Sequence, residues 1–200
     1  MSSYSRARPP LRWSPSGALR PPGGYRVRAR QQMRRSTLLG VDIHVAGERT
    51  MLDGMLDAQR EAVARILSEI DDTAARTRLV PSLTTPLGLV KHATFVERVW
   101  FHSRVAGVPR AELGLPETVD ESFVLTSDDT VDSVRLAFLA ACERSREVAA
   151  GHPLDEQFTW HRRRVSLRYV YVHLIAELAR HAGHGDILVE QLKAGTAPIR

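Results

Sequence analysis

Cysteine is almost missing from this chain: Cys142 stands alone among 200 residues. No intramolecular disulfide can form, so the fold must rest on its core, and the composition fits a reducing cytoplasm. Lysine is nearly as scarce, with Lys91 and Lys193 the only two, and positive charge is carried by arginine. No apolar run reaches the roughly eighteen residues that a membrane span needs, and the N-terminus lacks the apolar stretch of a secretory signal. The expected location is therefore cytoplasmic, without membrane contact. Acidic residues are absent from residues 1–40, which hold nine arginines and carry +9. The whole chain carries +5, which leaves −4 on residues 41–200. The sequence pI of about 10.0 thus describes the N-terminal segment, and a nucleic-acid partner is not expected for the remainder.

Residues 1–35 are rich in Arg, Pro, Ser and Gly and show no apolar periodicity. Such a segment buries too little surface to offset its ordering entropy and reads as disordered. The expected organisation is a disordered Arg/Pro-rich tail over residues 1–40 and a single domain over 41–200. The tail is open to three readings: a basic arm for nucleic acid or lipid, an Arg-rich targeting peptide, or an extension ahead of an alternative start at Met33.

Beyond the tail lie four helical segments. The first runs from Glu48 to Ile70, with Leu52, Met55, Leu56, Val63, Ile66, Leu67 and Ile70 at helical spacing. The second opens with Thr85 as N-cap and Pro86 at the first helical position, and stops at Gly107. The third starts near Ser127, carries Val131, Val134, Leu136, Phe138 and Leu139, and ends at Gly151. The fourth runs from near Ser166 to Lys193, with Gly195 as its stop. Strand signals are weak, and the segment VDESFVLTS is too isolated to build a sheet. The predicted fold is all-α: a four-helix bundle with one long crossover between the second and third helices.

The fourth helix carries a stripe of His173, Glu177, His181 and His184. At about 100° per residue these side chains fall within roughly an 80° wedge. The stripe borders the apolar face of Leu167, Tyr171, Leu174, Leu178 and Leu192, which places it inside the bundle or at its mouth. Burying several ionisable groups costs several kcal/mol unless they are paired or coordinated, so a divalent metal is the natural occupant. On the second helix, His92 lies among Thr85, Gly88, Leu89, Val96, Val99 and Ser103. By itself it reads as a core histidine. Facing Glu177 and His181, it would complete a three-ligand set with a fourth position open to water or substrate.

The segments GERTMLDGMLDAQREAV, SLTTPLGLVKHATFVERVWF and LIAELARHAGHGDILVEQL resemble the DinB superfamily, most of all its mini-circle branch. The resemblance covers residues 47–194 and is strongest in the second and fourth helices. It extends in fold to the mycothiol-dependent maleylpyruvate isomerase and related thiol S-transferases. It implies a metal held by one histidine of the second helix and two residues one turn apart on the fourth. By position these are His92 in LVKH, Glu177, and His181 in RHAGH. Many superfamily members have histidine where Glu177 stands, but the isomerase-like members share this His, Glu, His order. The resemblance also implies supporting or substrate-anion roles for Arg180 and His184. His173 reads as a core or supporting histidine, or else as a substitute ligand or proton shuttle, and either His173 or His184 could accept a proton from the bound thiol.

The activity that the resemblance implies is that of a metal-dependent S-transferase or isomerase using a low-molecular-weight thiol such as mycothiol. Zinc is the expected metal, with nickel, manganese and iron as alternatives, and the partners are the thiol and an electrophile. The competing reading is a non-catalytic, metal-stabilised bundle acting as a stress or interaction module, with homodimer formation. An exposed apolar face on the first or third helix would favour it. Trp100, Phe101 and Trp160 read as core or as lining of the bundle mouth. The run Arg162–Arg164 reads as a solvated linker or as a clamp for an anionic thiol. Cys142 reads as a small buried hydrophobe.

Overall fold

The computed structural model describes residues 42–195, and its helices and strands all lie in the unit Ile43–Arg200. The expected tail over residues 1–40 and the alternative start at Met33 fall outside the described residues. The described chain is mainly helical. Helix α1 spans Glu48–Arg65, α2 Asp72–Arg76 and α3 Pro86–Glu97, the last continuing into a π-helical segment, Arg98–Val105. A 3-10 turn at Asp120–Phe123 precedes α4, Val131–Ala150. Strands β1 (Gln157–Trp160) and β2 (Arg163–Ser166) form an antiparallel hairpin, and α5 spans Leu167–Lys193. None of these helices is long and apolar enough to cross a membrane.

Caps set most of the boundaries. The Gly88 amide donates to Thr85 Oγ1 at 3.0 Å, and Pro86 occupies the first turn of α3, where its missing N–H costs nothing. Ser166 accepts from the Tyr169 amide at the start of α5. Gly107 and Gly195 adopt φ of 75°, the left-handed conformation that glycine supplies just beyond a helix. Helix α4 begins at Val131 rather than near Ser127, because Thr130 caps it in a reciprocal capping box with Ser133. Asp129 is instead occupied by Lys91 and the Thr126 amide.

Two further expectations need correction, those for the end of the first helix and for Arg162–Arg164. Helix α1 ends at Arg65, not Ile70: the chain tightens through bonds from the Ile66 and Ser68 amides, and Asp71 then caps the separate helix α2 through the Ala74 amide. Ile66 and Leu67 remain buried even so. On α4, Leu136 and Leu139 are exposed at 66% and 44%, as is Met55 on α1 at 41%. The inward stripe of α4 is Val134, Phe138, Ala141, Cys142, Ser145 and Val148, and it leaves the two leucines outside. Finally, Arg162–Arg164 is not a linker. It forms the hairpin turn and the start of β2, where Phe158 and Val165 pair across the strands and are both buried.

Core packing is continuous from α1 through α3, α4 and α5, around Leu56, Leu87, Phe101, Phe138, Leu167, Leu174 and Leu178. Helix α5 lies close against the end of α1, and a Cβ at Gly185 would meet Ile66 Cδ1 at 2.3 Å. Arg49 of α1 donates to the carbonyls of Ala149 and His152, satisfying the C-terminus of α4. Within this apolar interior sits one ion pair. Arg60 Nε and Nη2 each lie 2.8 Å from a Glu97 oxygen, with Arg60 5% and Glu97 0% exposed.

Removing one partner of such a pair leaves an uncompensated buried charge, at a cost of about 3–5 kcal/mol, whereas an apolar replacement of both is close to neutral. Urea unfolding should therefore show Arg60→Met strongly destabilised and the Arg60→Met/Glu97→Leu double variant largely restored. A single variant within about 1 kcal/mol of the parent would mean that this pair does not hold α1 to α3.

Candidate functional site

Three of the residues expected from sequence converge. His92 projects from α3, and Glu177 and His181 project from successive turns of α5. One donor atom from each lies within 4.8 Å of the others. Glu177 Oε1 stands between the two imidazoles, 3.0 Å from His181 Nε2 and 3.8 Å from His92 Nε2. His92 and His181 are 3% and 8% exposed, while Glu177 is half-buried.

The orientation of His92 is fixed from outside the cluster. The Ser122 hydroxyl donates to the Val119 carbonyl, so its oxygen accepts from His92 Nδ1–H at 2.7 Å. That bond leaves the Nε2 lone pair facing Glu177 and His181. Phe123 stacks on the His92 ring at 4.1 Å between centroids and 10° between planes. Ser122 and Phe123 reach α3 because Gly88, one turn before His92, has no side chain. A Cβ there would lie 3.1 Å from the Phe123 carbonyl oxygen. Neither residue was expected at the site: they lie in VDESFVLTS, whose only sequence signal was a weak strand tendency, and no spacing rule links them to His92.

Burial pushes the His92 pKa below the ordinary histidine value, a shift that the Glu177 carboxylate opposes. The hydrogen bond from His181 above all, with the His92 ring alongside, holds the Glu177 carboxyl well below the usual carboxylate range. His181 Nδ1 is buried without a hydrogen-bond partner among the described residues. The cluster is thus not closed by the protein's own hydrogen bonds. Two imidazoles and a carboxylate form a donor set suited to a divalent ion of the zinc type with open coordination positions. The residues present could hold such a group.

The remaining expected residues surround this centre without entering it. Arg180 is exposed and approaches the other Glu177 oxygen at 3.5 Å. His184 is exposed, with its ring 5.9 Å from that of His181. His173 turns elsewhere: its ring stacks on Tyr169 at 5.9 Å and lies 4.5 Å from Trp100. Burial lowers its pKa, and its link to the cluster is the charge of Glu177. Trp160 of β1 joins this second group, 5.3 Å from Trp100, whereas Phe101 is fully buried in the core. Arg162, Arg163 and Arg164 are exposed on the hairpin, and Arg164 donates to the Gln157 carbonyl. Cys142 is buried beside the Arg60–Glu97 pair, and burial pushes its thiol pKa up, so it offers no nucleophile.

The family model described as Mycothiol-S-transferase matches residues 51–194, a span that contains His92, Ser122, Phe123, Glu177 and His181 together with the residues around them. No curated protein matches the chain.

His92, His102 and His173 all have pKa values lowered, with burial the largest cause in each. The unfolded chain, with histidines near 6.5, therefore takes up protons before the folded one, and stability must fall as pH drops through that value. Urea midpoints of EDTA-treated protein should be lower at pH 5.5 than at pH 7.5, with the loss beginning above the carboxylate range. A midpoint that stays level or rises over that interval would contradict the neutral, buried assignment of these rings.

Proposed function

The chain belongs to the mycothiol-S-transferase family, a DinB-like family, and from that premise we propose that it is a metal-dependent thiol S-transferase or isomerase. Its cosubstrate in this reading is a low-molecular-weight thiol of the mycothiol type. Helices α1, α3, α4 and α5 form its four-helix bundle, and the segment from Ala106 to Thr130 is the long crossover. Residues 41–200 are the working domain, and residues 1–40 are an appended tail. The observation that carries the proposal is the convergence of His92, Glu177 and His181 on one point, with His181 Nδ1 left unpartnered.

These three residues would hold a divalent ion, zinc by preference, and the chemistry it would supply is a lowered pKa for a thiol bound beside it. The protein's own groups do the rest. Ser122 holds His92 in the tautomer that presents Nε2. Phe123 and Phe95 supply an apolar wall that excludes water around the His92 ring. Arg180 offers a guanidinium at the exposed edge of Glu177, suited to an anionic substrate group. His184, exposed beside His181, would pass the thiol proton to solvent; His173, eight residues before His181 and packed on Trp100 and Tyr169, is the less favoured acceptor.

A second reading has one observation in its favour. Leu136 and Leu139, one turn apart, expose an apolar spot on α4. In that reading the protein is a metal-stabilised helical module that self-associates through α4 and performs no chemistry.

Metal analysis of freshly purified protein should find close to one divalent ion per chain, with His92→Ala and His181→Ala retaining little. Stoichiometric metal in both variants would remove the ligand assignment. Ser122→Ala keeps all three ligands but frees the His92 ring, and competition with a chelator should show affinity reduced roughly 10–100-fold. Thermal shifts of the metal-loaded protein with mycothiol, bacillithiol and glutathione test the chemistry. Stabilisation that rises with the concentration of one thiol, and disappears in His181→Ala, is expected. Equal indifference to all three would leave the non-catalytic module as the better account.

A further inference from the structure

One turn along α5 from Glu177, His173 belongs to a group of side chains gathered from three elements. Trp100 and Arg104 come from the π-helical segment, Trp160 from the hairpin, and Tyr169 and His173 from α5. The rings lie within 4.5 to 6.2 Å of one another. The Arg104 guanidinium lies over Trp100 at 4.1 Å and over Trp160 at 5.8 Å. The group is not sealed: Trp100 is buried, but Trp160, Arg104 and His173 are half-buried and Tyr169 is 40% exposed.

Arg104 is the unusual member. The buried Arg60, by contrast, is matched by the carboxylates of Glu97 and Asp57. Arg104 makes no ion pair or hydrogen bond among the described residues and rests instead on the two indole faces. Burial, with the like charge of Arg110 adding to it, pulls its pKa down to about 10. It remains charged at neutral pH. Cation–π contact compensates a guanidinium through its face but leaves its in-plane N–H groups free. Those groups form a fork that matches a carboxylate. Arg180 adds a second positive charge that also acts on His173.

We propose that this aromatic group with Arg104 is a binding subsite for an organic anion with a flat apolar body, whose carboxylate is taken by the Arg104 fork. The flat body rests on the accessible faces of Tyr169 and Trp160. The subsite lies on the same helix face as the His92–Glu177–His181 cluster, so it would hold the electrophilic partner of the thiol. That role rests on the transferase reading, but the binding itself does not, because none of its members is among the three proposed metal ligands.

The test is calorimetric titration of the full chain with benzoate, and with the isosteric neutral benzamide. Benzoate should bind at least about tenfold more tightly than benzamide, the margin expected for a charge-assisted pair in a partly desolvated site. Arg104→Gln should remove that preference while metal content and melting temperature stay unchanged, and Arg104→Lys should restore only part of it. Benzoate binding should survive EDTA treatment. Failure of the thiol screen alone would therefore leave this subsite standing. Three outcomes overturn it: no benzoate binding, benzoate and benzamide bound alike, or full benzoate affinity in Arg104→Gln. Binding that vanishes with EDTA would place benzoate on the metal rather than on Arg104 and would equally overturn it. Should Arg104→Gln fail to fold, Arg104→Lys decides: a reduced preference for benzoate supports the subsite and an unchanged one overturns it.

Discussion

The ion pair between Arg60 and Glu97 is the constraint on which the geometry of this protein turns. A carboxylate with no solvent exposure is tolerable only where its charge and both oxygens are matched, and the Arg60 fork does this with two bonds of 2.8 Å. Arg60 also reaches Asp57, which in turn binds Arg146 of α4. One chain of charges thereby ties α1, α3 and α4 together and leaves few alternative registers, since any slip along α3 would strand a buried carboxylate. Glu97 is the last residue of α3 before the helix widens into its π-helical segment. The residues on either side of this anchor, His92 before and Trp100 after, are the ones that face α5 at the donor cluster and at the aromatic group.

The same logic of satisfaction and its failure distinguishes the site from the core. Arg60, Glu97, Asp57 and Arg146 close on one another with protein atoms alone. His92, Glu177 and His181 do not. The outer nitrogen of His92 is satisfied by Ser122, but the inner atoms share a single carboxylate oxygen, and one buried nitrogen of His181 has no partner. Core histidines kept for stability are expected to complete their hydrogen bonds within the fold. The interior thus matches one polar group in full and leaves in the other a nitrogen that no described residue satisfies.

Much of this was legible in the sequence, and the part that was not follows a physical division. Thr85, Pro86, Ser166, Gly107 and Gly195 act through neighbours three or four residues away, so their helix boundaries could be read directly. The Glu177 and His181 pair is equally local, because one turn of helix aligns it. Ser122 on His92, Glu97 on Arg60 and Phe123 on the His92 ring join segments thirty or more residues apart. No local pattern encodes them. The hairpin was hidden for another reason: its two-residue turn, His161-Arg162, lacks the Gly or Asn that usually announces one, and His161 takes a φ of 53° without that help. The exposure of Leu136 and Leu139 was open in the sequence because apolar identity alone does not say which of two flanks of an amphipathic helix turns inward.

The stripe of His173, Glu177, His181 and His184 looks uniform in sequence, yet helix geometry prevents it from acting as one unit. Eight residues of α-helix advance about 12 Å and return roughly 80° out of phase, so His173 and His181 cannot address the same point. Helix α3 meets this drift by running antiparallel. His92 lies against His181 and, eight residues further on, Trp100 lies against His173. The π-helical segment begins between those two contacts, and such widenings re-aim the side chains that follow them. One helix face is thus divided into a donor cluster at one level and an aromatic, positively charged group at the next. Two packed antiparallel helices with one local change of pitch are enough to set two different chemical environments side by side.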